Sequence, residues 1–297
     1  MQIQATGESA AAGRRALVFG GSGQIGERVL AGLLAAGWQV CAVSRKPRAA
    51  QPGLQWRQGD LSVQWNQEGP FDAVFSCGPL DHFARWYAAS AITARRVVAF
   101  GSTSVEVKQD SSEAAERDVA RRLREAEATL FASAGERGVA ATVLRPTLVY
   151  GAGRDATLSR IAALASRSGF FVLPADARGL RQPVHVQDLA DAALQVVPQL
   201  QTAGKAYALG GGEVLDYTAM VRRVLAALQP RPRLLRVPSP LFRAALAVAH
   251  AGGRLRGMNG AALARMREPL VFDIEPAQRD FGYAPRPFNP TREMLLP

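Results

Sequence analysis

Apolar positions along the chain switch between two periods. Short, mostly apolar runs of four or five residues, Ala16–Phe19, Gln39–Val43, Phe71–Phe75, Arg96–Phe100 and Ala141–Leu144, read as strands buried on both faces. Between them, apolar residues recur at helical spacing over Glu27–Ala36, Asp81–Thr93 and Ser112–Gly135. The last of these carries Glu and Arg at i,i+4, as Glu113/Arg117 and Arg121/Glu125. Strand–helix alternation of this kind predicts a parallel sheet covered on both faces and joined by right-handed crossovers.

Beyond Gly151 the rhythm loosens. A helical run from 156 gives way to a Gly- and Pro-punctuated segment, Ser168–Pro183, followed by a short apolar piece, a helix Asp188–Val197 and a strand Ala206–Leu209. A Pro-rich break at Pro230–Pro240 leads into a C-terminal lobe. The division expected is a frayed tail over 1–13, a dinucleotide-binding unit over 14–155 and 181–212, and a smaller substrate-binding lobe over 156–180 and 213–297.

The turn after the first strand narrows this to a doubly wound α/β fold of the Rossmann type. Gly20-Gly-Ser-Gly-Gln-Ile-Gly26 contains Gly-x-Gly-x-x-Gly between a predicted strand and a predicted helix. One glycine makes the tight turn, one admits a pyrophosphate to the backbone, and one lets the helix pack on the strand. The helix N-terminus then supplies free N–H groups and positive potential. An acidic residue that would bind the ribose hydroxyls of NAD is expected about 20 positions on. The chain instead reads Ser44-Arg-Lys-Pro-Arg48, and Arg45 and Lys46 suit a 2′-phosphate, so NADP(H) is favoured over NAD(H).

Charge first suggests another partner. The chain has 297 residues, 36 Lys+Arg against 25 Asp+Glu, and a net charge of +11. Such an excess attracts polyanions. The arginines are nevertheless spread along the chain without a recognition motif or interleaved aromatics, which argues against nucleic acid and for a small, anionic ligand. Arg154, Arg178 and Arg181 are the candidates on the substrate side, where a guanidinium grips a phosphate or carboxylate. Cys41 and Cys77 lie in apolar runs and have no metal-ligand spacing, so they read as small core residues in a reducing, cytoplasmic location. No apolar run is long enough to span a bilayer, and Pro240–Gly253 is a short amphipathic stretch with Arg243 and His250 inside it.

Further segments occur in a telling order: Gly59-Asp-Leu61, Phe100-Gly-Ser-Thr-Ser-Val105, Leu144-Arg-Pro-Thr-Leu-Val-Tyr-Gly151, Arg181-Gln-Pro-Val-His-Val-Gln-Asp188 and Phe272–Gly282. Together with the glycine turn, from about Arg14 onward, they resemble the extended short-chain dehydrogenase/reductase family of nucleotide-sugar epimerases and dehydratases. The resemblance implies that Ser22, Gln24 and Ile25 join Gly20, Gly23 and Gly26 under the pyrophosphate. It implies further that Asp60 and Leu61 contact adenine, that Cys77, Gly78 and Pro79 line the ribose side, and that Arg145 and Pro146 border the nicotinamide. Pro146 reads equally as a strand terminator, Asp188 as the N-cap of its helix, and His185 as a core histidine rather than a base.

One departure from the family limits the chemistry. Its members use a Ser or Thr with a Tyr-x-x-x-Lys pair on the following helix, where the lysine helps the tyrosine to pass a proton. Ser102 and Thr103 supply the hydroxyl, but no tyrosine lies between Tyr87 and Tyr150. Either Arg117/Arg121 or Val119/Leu123 occupies the paired positions, and neither pair is a proton shuttle. Lys108 precedes the helix and does not restore the motif. Two readings stand: an oxidoreductase or epimerase-like enzyme on a small polar or nucleotide-sugar-like substrate with a nonstandard proton donor, and a catalytically silent NADP(H)-binding sensor, scaffold or assembly protein.

Overall fold

The computed structural model describes residues 13–62, 70–244 and 260–296. The rest of the expected tail and residues 245–253 of the amphipathic stretch fall outside them. Seven parallel strands form the central sheet: β1 (Arg15–Phe19), β2 (Gln39–Ser44), β3 (Leu54–Gln58), β4 (Phe71–Ser76), β5 (Ala94–Phe100), β6 (Ala140–Pro146) and β7 (Lys205–Leu209). Their order is β3-β2-β1-β4-β5-β6-β7. The chain thus winds outward in one direction from β1 through β2 and β3, then reverses at β4. The crevice between the carboxyl ends of β1 and β4 is the switch point at which doubly wound sheets bind ligands.

Alternation along β1 shows why its apolar run is continuous. Ala16 and Val18 face one core with α1 (Gln24–Ala35) and α6 (Val186–Gln195). Leu17 and Phe19 face the other, with α2 (Leu80–Ala89) and α4 (Ala114–Glu136). A third apolar cluster lies off the sheet. It joins Leu158, Ile161 and Ala165 of α5 (Leu158–Ser168) to Met220, Val221 and Val224 of α7 (Tyr217–Ala226).

Two segments read from sequence as Gly- and Pro-broken are strands. Phe170–Pro174 and Arg233–Val237 pair in parallel as a small separate sheet. Pro232 and Pro238 flank the second strand rather than interrupt it, so neither removes a ladder hydrogen bond. The expected Glu113/Arg117 pair also does not form. Glu113 is the N-cap of α4 with extended backbone, and Arg117 donates instead to the carbonyls of Ser111 at 2.7 Å and Ser112 at 3.0 Å. Arg121 and Glu125 do pair, at 2.8 Å.

Asp188 is not the N-cap of α6. The helix begins two residues earlier, and the imidazole Nδ1 of His185 accepts from the Gln187 amide at 3.1 Å in the capping role. Asp188 sits buried one turn in and holds a distant segment, accepting from the amide and Nε of Arg286 at 3.0 and 2.6 Å. His185 is buried edge-on against Tyr150, as expected of a core histidine. Among the described residues no helix is long and apolar enough to cross a membrane, and no group of His, Cys, Asp or Glu could hold a metal ion.

Candidate cofactor and substrate site

Two neighbouring regions along the carboxyl edge of the sheet define the candidate site. The first is the glycine turn at the switch point. Gly20 has a left-handed φ of +71°, and a β-carbon there would lie 2.8 Å from the Cys77 carbonyl carbon and the Gly78 nitrogen. A β-carbon on Gly26 would collide with the Gly20 carbonyl oxygen. Gly23 closes the turn by donating to Gly20 O at 2.9 Å and caps α1 without a side chain, leaving the helix N-terminus open. Ile25 packs into the core beneath.

Two buried polar atoms at this crevice lack partners among the described residues: Gln24 Oε1 in the turn and Ser76 Oγ at the end of β4. Such atoms are uncommon and point to a bound group or ordered water. The carboxyl end of β4 supplies Cys77, whose amide donates to Phe19 O at 2.9 Å, and Gly78, which faces open space. Burial pushes the Cys77 thiol up to about 12, so it stays protonated and inert. Pro79 is exposed and precedes α2. A glycine cradle with an uncapped helix and orphaned polar atoms fits a dinucleotide pyrophosphate.

The end of β2 lies one strand over. Arg45 and Lys46 are exposed there, and neither side chain bonds to another described residue. Arg48 is occupied, its guanidinium lying 5.0 Å over the Trp56 ring. After β3, Asp60 accepts from the Ser62 amide at 2.8 Å, fixing a tight turn, and Leu61 packs partly against the core.

The second region is a cavity of about 310 Å³ beyond the ends of β5 and β6. Ser102, Thr103 and Ser104 form one wall, and Arg181, Tyr217 and Arg265 approach from the smaller cluster. The two candidate hydroxyls differ in freedom. Thr103 is buried and donates to Pro146 O at 3.2 Å, whereas Ser102 Oγ accepts from the Ser104 amide at 3.1 Å and keeps its proton for a ligand. Lys108, set aside in the sequence as lying outside the helical motif, lines this cavity. The short helix α3 (Ser104–Val107) ends at Lys108 and turns it inward, a placement that periodicity could not reveal.

The remaining expected site residues scatter. Arg145 is held by carboxylates: Nε donates to Glu127 Oε1 at 2.8 Å, a second nitrogen bonds the other Glu127 oxygen, and Nη1 meets Glu106 at 2.8 Å. Pro146 is buried at the end of β6. Arg154 does not line the cavity. It reaches the glycine turn, donating to Ser22 O at 3.2 Å and pairing with Glu27. Arg178 is exposed and also does not line the cavity. Arg181 does line it, but its bonds run to the carbonyls of Leu180 at 2.6 Å, Glu268 at 2.9 Å and Arg265, with Tyr217 beneath its guanidinium at 5.1 Å. Burial lowers its pKa, with Tyr217 and the Glu268 carboxylate offsetting part of this and Arg265 adding to it.

Arg117 and Arg121 lie on the exposed side of α4, Arg121 bonded to Asp118 and Glu125. Val119 and Leu123 are half-buried. No polar side chain on α4 at these positions lines the cavity.

This combination of an all-parallel, doubly wound sheet, a glycine turn at its switch point and an adjoining cavity defines a doubly wound α/β fold of the Rossmann type. Residues 88–210 match the NAD dependent epimerase/dehydratase family. With the sheet topology, this match bears out the resemblance to the extended short-chain dehydrogenase/reductase family. A 2-alkyl-3-oxoalkanoate reductase of Stenotrophomonas maltophilia (strain K279a) is 26% identical, the alignment covering 91% of this chain and 94% of that one. An epimerase from the methanogen Methanothermobacter thermautotrophicus superposes with a TM-score of 0.68 at 15% identity, over 96% of this chain and 91% of its own. A UDP-glucuronic acid 4-epimerase from Bacillus cereus, solved in complex with NAD, gives 0.66 at 11% identity, over 92% and 94%. At these identities the two structural matches speak for the fold.

Proposed function

We propose that this protein binds NADP(H) across the β1–β4 crevice and uses it in an oxidoreductase or epimerase-like reaction on a small molecule held in the adjoining cavity. The observation that carries this reading is the shared edge: the glycine cradle and the cavity with the free Ser102 hydroxyl follow the carboxyl ends of neighbouring strands. The likeness to a 2-alkyl-3-oxoalkanoate reductase, and to the fold of a UDP-glucuronic acid 4-epimerase solved in complex with NAD, supports this reading.

When bound, the nicotinamide supplies or accepts a hydride. The protein's own part is binding, orientation and proton handling. Gly20, Gly23 and Gly26, with the start of α1, hold the pyrophosphate, and Ser22, Gln24 and Ile25 shape the turn around it. Arg45 and Lys46 are free for a 2′-phosphate, which is the ground for NADP(H) over NAD(H). Asp60 and Leu61 border the adenine, and Cys77, Gly78 and Pro79 the ribose. Ser102 donates to a substrate carbonyl, while Thr103 holds the loop to Pro146 and does not itself reach for a ligand. Arg145, saturated by Glu127 and Glu106, fixes the end of β6 and is a positioning residue.

Stopped-flow absorbance of bound NADPH, mixed with small oxoacids and ketones, tests turnover. Oxidation in a single turnover supports the enzyme reading. Tight cofactor binding with no oxidation by any of them supports the second reading, a cofactor-binding sensor or scaffold. What favours that second reading is that either Arg117/Arg121 or Val119/Leu123 stands where the family's Tyr and Lys are expected, and neither pair can shuttle a proton.

A further inference from the structure

The lining of the cavity carries information about its ligand. Three cations border it, Lys108, Arg181 and Arg265, and no Asp or Glu does. Arg265 is neutralised from behind by Glu116, with both carboxylate oxygens at 2.5 Å. Arg181 is satisfied by carbonyls, which accept its hydrogen bonds but leave its charge in place. Lys108 is half-buried, and its ammonium bonds to no other described residue. Glu116 also lies within electrostatic reach of Lys108, and Glu268 of Arg181, so two carboxylates set behind the lining face three cations, and the wall itself keeps an excess of positive charge that favours an anion.

Ser102, Ser104, Thr157 and Tyr217 add hydroxyls that spend no hydrogen bond on another described side chain and can donate to a ligand oxygen beside the Lys108 ammonium. Gln182 is committed, donating its Nε2 to Gly211 O at 3.1 Å and receiving the Phe272 amide on Oε1 at 3.2 Å. The feature that discriminates among anions is the opposite wall. Val107, Leu148, Met266, Leu270 and Phe272 are apolar and ask for a hydrocarbon portion, which a ring of sugar hydroxyls does not offer.

We infer that the substrate is a small monocarboxylate carrying an apolar chain, its carboxylate paired with Lys108 and its chain laid against Met266, Leu270 and Phe272, rather than a nucleotide sugar. This rests on the reading of the cavity as the substrate site beside an NADP(H) crevice. It goes further in assigning a ligand class and a charge partner that lies outside the family motifs.

Isothermal titration calorimetry with sodium octanoate, methyl octanoate and UDP-glucose tests it, each measured with and without NADP+. The expected result is saturable octanoate binding at least about tenfold tighter than that of the ester or UDP-glucose, since the ester loses the charge-assisted bond and UDP-glucose offers no hydrocarbon chain to the apolar wall. Lys108→Met is expected to weaken octanoate about tenfold or more and to bring it level with the ester, while Lys108→Arg retains octanoate binding. Tighter binding of UDP-glucose, no binding of octanoate, or octanoate affinity indifferent to Lys108→Met would each overturn the inference. Failure of NADP+ to bind in the same experiments would count against the cofactor reading instead. The octanoate arms without nucleotide then still decide the ligand class.

Discussion

Arg145 and Glu127 form a two-pronged ion pair between the end of β6 and the middle of α4, with the Glu127 side chain 7% exposed and Arg145 Nε 2.8 Å from its Oε1. Glu106, the other partner of Arg145, is half-exposed. Removing one partner of a buried pair leaves the other charge uncompensated, whereas an exposed pair is worth little. Glu127→Ala is therefore expected to cost about 2–3 kcal/mol of stability and Glu106→Ala less than about 1 kcal/mol, read from urea denaturation midpoints. Equal losses would show that the Glu127 pair does not anchor the helix.

Gly26 is expected to tolerate no side chain. Its missing β-carbon is the space occupied by the Gly20 carbonyl, which backbone atoms cannot vacate without opening the turn. Gly26→Ala should abolish NADPH binding and lower stability by about 1–3 kcal/mol, in the range of overpacking a tight site. Fluorescence titration together with thermal melting separates the two effects. NADPH affinity within a factor of about two of the unsubstituted protein would place the pyrophosphate elsewhere.

The two hydroxyls at the end of β5 are expected to behave differently. Ser102→Ala should lower kcat/KM for carbonyl reduction by about 100-fold, the scale of a lost proton donor, with little change in melting temperature. Thr103→Ala should do the reverse, costing about 1 kcal/mol of stability through its lost bond to Pro146 O. Steady-state kinetics and denaturation on the pair check this, and the same kinetic loss in both would erase the distinction.

His185 links stability to pH. Burial, with Arg286 adding to it, holds its pKa below the ordinary 6.5, and the capping bond needs an unprotonated Nδ1. The unfolded chain then binds more protons than the folded one just below pH 6.5, so stability is expected to fall as pH drops through that window. His185→Asn keeps a capping acceptor without the titration, and its stability profile should be flatter there. Parallel chemical denaturation from neutral to mildly acid pH checks it; identical slopes would exclude His185 as the source.

Much of the sheet was legible in the chain because a doubly buried strand needs a continuous apolar run, and β1, β2, β4, β5 and β6 each have one. The glycine turn was legible because its residues are contiguous. What was hidden depends on partners far away in sequence. The Phe170–Pro174 strand forms only against Arg233–Val237, and neither announces itself alone. Asp188 lies inside its helix, which His185 caps, and its carboxylate holds Arg286, 98 residues on. Arg154 belongs to the glycine turn 132 residues earlier rather than to the cavity. Lys108 enters the cavity through the short helix α3, whose four residues are too few to show a period.

The account turns on a phosphate-bearing nucleotide held between the glycine turn and the free cations after β2. Parallel fluorescence titrations with NADPH and NADH measure that directly, on the unsubstituted protein and on Arg45→Ala/Lys46→Ala. The account predicts NADPH binding at least about tenfold tighter than NADH, with the double substitution removing the difference by weakening NADPH alone. Equal affinities in the unsubstituted protein, or a preference that survives the double substitution, would contradict it.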